Sequence, residues 1–325
     1  MIPLSTEIAG VELGERQTFR NLTIYPIFHK HTPLTESLPE YELLDEAIAA
    51  GTARVTELHE GGSVPELRFE NLGSRPVLLL DGQELIGAKQ NRVLNLTILA
   101  PAKSTIVIPV SCVEAGRWHS VGSEFKPADH VMYSRVRAAR AAQVTDCMRS
   151  VGLRRSDQSA VWADIEAKAS QLDAPSPTSA MSAIYDRNAM TVEEYTQSFA
   201  CKPRQCGTAF QLSTGEAGVD LFDRPETMRH FFGKLLRSYA LDALESPTHE
   251  TGNSNRVLEL LAGIASAQSF TEPAVGLGKD LRLSSPGIAG AALWAENRYI
   301  HICAFCTEAQ WPFSSRVSRP SRRWR

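Results

Sequence analysis

The chain has 325 residues, 43% hydrophobic and 22% charged, with a formal net charge of −3. That length allows one large domain or two ordinary ones with a sizeable core, and the near-neutral balance gives no electrostatic case for nucleic acid as a partner. No run approaches the ~20 apolar residues of a membrane helix, and MIPLSTEIAGVELGERQ lacks the basic start and apolar stretch of a signal peptide, so a cytoplasmic protein without membrane contact is expected.

The first third reads mainly as strands. Phe19 to Ile27 and Val64 to Asn71 suggest two, and Pro76 to Leu80 a shorter one. Val93 to Leu99 and Ser104 to Val113 follow, with Pro101 and Lys103 marking a turn that predicts a hairpin between them. Glu40 to Ala50 fits a helix stopped at Gly51. From about Ala128 the period changes: Met132 to Val151 and Asp157 to Leu172 read as helices divided by Gly152 and a basic stretch. Ala174-Pro-Ser-Pro-Thr-Ser breaks the pattern as a linker or exposed loop. Thr191-Val-Glu-Glu has capping-box spacing and predicts a helix running towards Phe199. Gly207 to Leu212 and Gly218 to Phe222 predict a hairpin around Thr214-Gly215. Asp223-Arg-Pro-Glu then predicts a helix start, with Asp223 as cap, for a helix over Pro225 to Glu245. A helix near Val257 to Ile264 and strands around Arg282, Ala289 to Ala295 and Tyr299 to Phe305 complete the reading.

This order lacks regular β-α-β alternation, so the expected class is α+β, mainly antiparallel β-sheets with packed helices in the central third. Pairing of late strands with early ones predicts a single discontinuous domain, strand-rich over 15–125, helical over 130–200 and mixed over 205–306. The remaining 307–325 form a basic tail whose arginines, Arg316 to Arg325, are read as a ragged end.

Candidate chemistry concentrates between Asp81 and His119. Gly82-Gln-Glu84-Leu-Ile-Gly87-Ala-Lys89-Gln90 approaches a P-loop, but the lysine falls one place late and a strand pattern follows where a helix is required. Lys89 and Arg92 remain suited to an anion, one as a compact charge and the other as a planar fork of donors. The plain alternative is a strand crossing with solvated charges, against which stand five successive polar residues between a glycine turn and an apolar strand. Along Ile106, Ile108, Val110 and Cys112 one strand face ends in the carboxylate of Glu114. That group needs a partner, for which Arg117, Lys89 and Arg92 are the candidates; it is either a ligand or acid/base group or half of an internal Glu–Arg pair anchoring a turn. Trp118 and His119 close the same corner, the indole as a stacking surface. Lys279-Asp-Leu-Arg282, flanked by Gly276 and Gly278, presents charge from a turn. His301 lies on an apolar strand face with Tyr299, Cys303 and Phe305 and reads as a satisfied core histidine.

Six cysteines, Cys112, Cys147, Cys201, Cys206, Cys303 and Cys306, are too few and too scattered for a disulfide scaffold. The pairs C-x4-C and C-x2-C evoke zinc, yet a strand places Cys303 and Cys306 on opposite faces. His29 and His31 share a strand face without a third ligand in view. No metal site and no particular cofactor is therefore predicted.

Gly87-Ala-Lys-Gln-Asn-Arg92 together with Ile108-Pro-Val-Ser-Cys-Val-Glu-Ala-Gly-Arg-Trp118 resembles the ADP-ribosylglycohydrolase and rhodanese-phosphatase associated protein family, a domain of unknown function. Phe222-Asp, Leu235-Leu-Arg-Ser-Tyr-Ala240, Gly276-Leu-Gly-Lys-Asp-Leu-Arg282 and Ile300-His-Ile-Cys-Ala-Phe305 fit it too, extending the resemblance over roughly Thr18 to Arg323. The name implies a link to ADP-ribose and NAD-derived metabolites, by association alone. Carried over, the resemblance favours Lys89, Gln90, Asn91, Arg92, Glu114, Arg117 and Trp118 as a pocket, with Lys279, Arg282 and His301 behind. Two readings follow. In one, Arg92, Lys89 and Arg282 hold the anion of a phosphorylated nucleotide, Gln90 and Asn91 orient it, and Glu114 or Glu84 acts as general acid/base. In the other, the chain is a non-catalytic module that senses such a small anionic ligand or docks on a partner. A structural protein whose polar run is a buried salt-bridge network is the third possibility.

Overall fold

The structure, a computed structural model, describes residues 1–30, 40–59, 61–245 and 256–307. His31 and the basic tail beyond residue 307 lie outside the described residues. Helix α1 (Leu4–Ala9) leads into strands β1 (Val11–Leu13), β2 (Gln17–Phe19) and β3 (Leu22–His29). Strand β4 (Glu42–Leu43) runs into α2 (Leu44–Ala49), followed by β5 (Ala53–Glu57), β6 (Glu66–Asn71) and β7 (Val77–Leu79). Next come β8 (Gln83–Gly87), β9 (Arg92–Leu94), β10 (Ile98–Ala100), β11 (Ser104–Cys112) and β12 (Phe125–Val131). The helical stretch holds α3 (Ser134–Val151), α4 (Gln158–Gln171), α5 (Met181–Arg187) and α6 (Ala189–Gln197). The hairpin β13 (Gly207–Leu212) and β14 (Ala217–Phe222) precedes α7 (Pro225–Ala243) and α8 (Arg256–Ser266). Strands β15 (Ser269–Pro273), β16 (Lys279–Ser285), β17 (Ile288–Ala295) and β18 (Arg298–Cys306) end the described chain.

The class is α+β, and among the described residues every ladder is antiparallel except the short β4–β7 pair. A large sheet runs β1-β3-β13-β14-β18-β17-β16-β15, with β2 hairpinned onto β3. A second runs β12-β8-β9-β11-β6-β5, and a third, small one β10-β7-β4. The late strands reach β3 through the β13–β14 hairpin rather than by direct pairing.

The helices fill the space between sheets because their apolar residues recur at helical spacing. In α7 the buried run Met228, Phe231, Phe232, Leu235, Leu236 and Tyr239 packs on Phe210 and Phe222 of the large sheet. Each such buried aliphatic or aromatic side chain contributes roughly 1.5–3 kcal/mol. The opposite face of that sheet, with Val219, Leu281 and Ile302, is covered by Ile8 of α1 and by Val257, Leu260 and Ile264 of α8. A third cluster joins Leu44 and Ala47 of α2 to Val55, Phe69, Leu94 and Ile108 in the second sheet.

Several expected elements differ. Phe19 to Ile27 is a hairpin, turned at Arg20 with φ +52°. Val93 to Leu99 is two strands in two sheets: β9 pairs β8 and β11, whereas β10 pairs β7, so no hairpin joins β10 to β11. Glu42 and Leu43 are taken by β7 before the helix starts at Leu44. Thr191 caps nothing; it lies inside α6, which begins at Ala189 after an unanticipated α5. Asp223 is not the cap of α7, since Arg224 holds that position and the Asp223 carboxylate accepts from Tyr41 Oη at 2.6 Å and Arg298 Nε at 2.7 Å. A bulge in the β17–β18 ladder moves Tyr299 off the His301 face.

Candidate functional site

The Gly87–Arg92 segment is the bend of the β8–β9 hairpin, and a strand follows Lys89 as its pattern predicted. The β9–β11 ladder sets Arg92 opposite Cys112, and the Val113 N–H donates to Asn91 O at 3.0 Å, so β11 delivers Glu114 to the same bend. The expected partner of Glu114 is Arg117. Its Nη2 and Nε lie 2.6 and 2.9 Å from Glu114 Oε2, which also accepts the Asn91 N–H at 3.1 Å. Thr178 Oγ1 donates to the other oxygen at 2.8 Å. Burial alone would raise the Glu114 pKa, but Arg117, the Asn91 N–H and Thr178 outweigh it and hold the carboxyl below its ordinary range. Arg117 also donates to Ala88 O at 2.6 Å and Asn91 Oδ1 at 3.0 Å, stapling its own loop to the hairpin bend.

Asn91 links this pair to a second carboxylate. Its Nδ2 donates to Glu84 Oε1 at 3.2 Å, and Glu84 Oε2 lies 2.5 Å from His130 Nε2. The His130 ring stacks on Tyr185 with centroids 3.9 Å apart. Gln90 is equally fixed: its Nε2 donates to Glu114 O at 2.9 Å, and its Oε1 accepts from Cys112 Sγ at 3.0 Å and Arg92 Nη1 at 3.2 Å.

Arg92 stands apart. It is 0% exposed, yet among the described residues its Nε and Nη2 have no hydrogen-bond partner. An unpaired buried donor costs about 1–3 kcal/mol, and more when charged. Burial accordingly pulls the guanidinium pKa below its ordinary value, against the attraction of Cys112 and Glu57. Trp118 covers this corner, with Lys89 Nζ 5.5 Å and Arg92 Cζ 5.8 Å from its ring. The indole is 49% exposed, and every residue from 118 to 124 is exposed.

Lys279, Arg282 and His301 do not join this group. Lys279 is exposed at the start of β16. Arg282 is buried against α3, donating to Thr145 Oγ1 at 3.3 Å and Ala141 O at 3.2 Å. His301 bonds Thr97 Oγ1 at 2.8 Å and Asp220 Oδ1 at 3.1 Å, the satisfied core histidine that its apolar strand implied. It belongs to a second network centred on Asp220, which accepts Arg137 Nη2 at 2.7 Å, Arg137 Nη1 at 3.0 Å and Tyr239 Oη at 2.6 Å. Burial would raise the Asp220 pKa, but Arg137 and His301 hold it well below the carboxylate range. Arg137 and Arg140 share Asp81 as well. A cavity of about 380 Å³ between α3, α7 and the β13–β14 hairpin contains none of the expected site residues.

Sequence reading missed Glu57, His130 and Thr178 at the first site and Asp81, Arg137 and Asp220 in the second network. Asp220 had a signal, being a lone carboxylate among Val219, Leu221 and Phe222 in a strand. His130 and Thr178 had none, because they arrive from β12 and from the loop before α5. All six cysteines are free. Cys303 and Cys306 pack into different clusters on opposite sheet faces, as the strand reading required, and burial pushes the Cys206 and Cys303 thiols up to about 12. Among the described residues no three His, Cys, Asp or Glu side chains converge as a metal set would, and no helix is long and apolar enough to cross a membrane.

Fold and site together define an α+β protein whose hairpin bend gathers a fixed polar network around one unsatisfied arginine. Residues 10–305 match the ARG and Rhodanese-Phosphatase-superfamily-associated Protein domain, ARPP-1, and the chain belongs to that family. The match starts before Thr18 and stops short of the basic tail. Comparison with curated proteins and with solved structures returns no match.

Proposed function

We propose that this chain binds a phosphorylated, nucleotide-type ligand, of the ADP-ribose or NAD-derived kind, at the Arg92–Lys89–Trp118 corner. The observation that carries the reading is the Nε–Nη2 edge of Arg92, enclosed and without a partner among the described residues. Those two coplanar donors match two oxygens of a phosphate, and an oxyanion there returns the hydrogen bonds that burial removed. Lys89 adds charge and Trp118 a stacking face. Because Arg92 is covered, entry requires the exposed Trp118 ring to turn outward. Gln90, Asn91, Arg117 and Glu114 hold the bend in shape; Glu114, with its oxygens already engaged, acts by positioning.

The test is calorimetric titration of ADP-ribose, NAD, ADP and ribose phosphates into wild type and Arg92→Met, with urea unfolding of both. The variant is expected to lose at least about tenfold in affinity, equivalent to ~1.4 kcal/mol. Its unfolding free energy should match or exceed that of wild type, because methionine removes an unpaired buried charge. Unfolding of Arg92→Met, or wild type that binds none of these compounds, would sink the reading in favour of a structural network. A catalytic version has one specific support, the 2.5 Å Glu84–His130 contact, which supplies a proton-carrying pair tied through Asn91 to the bend. Product analysis of the bound ligand separates turnover from sensing.

A further inference from the structure

Glu57, the last residue of β5, enters the same corner from a strand that carried no site prediction. Its Oε1 accepts the Lys89 N–H at 3.4 Å, whereas Oε2 is buried and has no partner among the described residues. A buried carboxylate oxygen without a donor is as unusual as a buried guanidinium edge without an acceptor. Glu57 is near enough for its charge to act on Arg92, yet among the described residues the two form no ion pair. The space is shared with the indole: a Cβ added to Gly62 would stand 3.5 Å from Glu57 Oε2, 3.4 Å from Trp118 Cζ2 and 3.0 Å from the Lys89 Cδ. The Glu57 acceptor edge and the indole therefore lie together, with the Arg92 guanidinium 5.8 Å from the same ring.

A bare oxyanion satisfies only the arginine and meets repulsion from Glu57. A ligand with a hydroxyl beside its phosphate satisfies both, because the hydroxyl donates to the carboxylate. We propose that Glu57 is the specificity-determining residue of this site, selecting a sugar phosphate over bare phosphate by accepting a sugar hydroxyl at Oε2 while the phosphate lies on the Nε–Nη2 edge of Arg92. The inference rests on the phosphate-binding reading above.

Two probes separate the two ideas: ribose 5-phosphate, which carries hydroxyls, and methyl phosphate, which carries none. Each is titrated calorimetrically into wild type, Glu57→Ala and the isosteric Glu57→Gln, with circular dichroism as the folding control. Wild type should prefer ribose 5-phosphate by at least about tenfold, since a site built to bond a hydroxyl rejects the analogue lacking it. In Glu57→Ala the preference should narrow to about threefold or less, with methyl phosphate bound no more weakly than by wild type. Glu57→Gln should narrow it in the same direction, and carries the comparison if the alanine variant does not fold. Equal binding of both probes by wild type, or a preference that survives both substitutions, overturns the role of Glu57 and leaves the Arg92 site standing. Failure of wild type to bind either probe removes the phosphate site itself, and the role of Glu57 with it.

Discussion

Among the described residues four arginines are fully buried, and two of them, Arg137 and Arg92, are so under opposite circumstances. Arg137 has both terminal nitrogens on Asp220 and its Nε on Asp81, so its desolvation is offset by close opposite charge. Arg92 has one nitrogen bonded and two without a partner among the described residues. A buried pair punishes removal of one partner, because the survivor is left charged and alone. Asp220→Asn should therefore cost about 3–5 kcal/mol in urea unfolding, the reverse of the outcome expected for Arg92→Met. The Asp220 contribution also depends on pH. Its folded pKa is depressed, so the contribution is complete above the unfolded value of about 3.9 and disappears as pH falls through the folded one. Wild type should lose stability more steeply than Asp220→Asn on acidification below about pH 4. Parallel stability–pH curves for the two proteins would show that Asp220 is not the group responsible.

At the scale of elements, turns decide which strands meet. α3 stops at Gly152, whose φ of +73° completes a left-handed cap with open space around it. Gly278, before β16, has φ +92°, and a Cβ there would fall 2.1 Å from Trp294 O. Gly152→Ala should cost only the backbone term, about 1–2 kcal/mol. Gly278→Ala adds a clash with a strand carbonyl and should cost at least about twice as much. Thermal unfolding of the two variants checks the order; equal losses would mean that β17 yields to the added methyl.

Across the whole molecule, the large sheet is covered on both faces along β3, β13, β14 and β18, while β15 is exposed at one edge. Native-state hydrogen exchange should be slowest in those central strands, with amides of β15 exchanging at least roughly a hundredfold faster. Uniform protection across the sheet would instead indicate that it opens only as a unit. Arg282 lies against α3 and His301 in the Asp220 network, rather than behind Arg92.

The α+β class, the long helices α3, α4 and α7, and the β13–β14 hairpin were legible in the chain because apolar period and turn residues are local properties. So was the grouping of the candidate residues: Lys89 to Arg92, Glu114, Arg117 and Trp118 lie within thirty positions of each other, and Glu114 found the nearby arginine that its burial demanded. Tertiary structure alone split Val93 to Leu99 between two sheets, since every residue of that run except Thr97 is buried and nothing in its period reveals which neighbour it pairs with. It alone brought Glu57, His130 and Thr178 to the bend, and sent Arg282 and His301 elsewhere. Hydrogen-bond partners far apart in sequence are chosen by how sheets and helices pack. Whether a buried arginine is paired, as Arg137 is, or left with a free edge, as Arg92 is, follows from that packing and not from the residue or its neighbours in the chain.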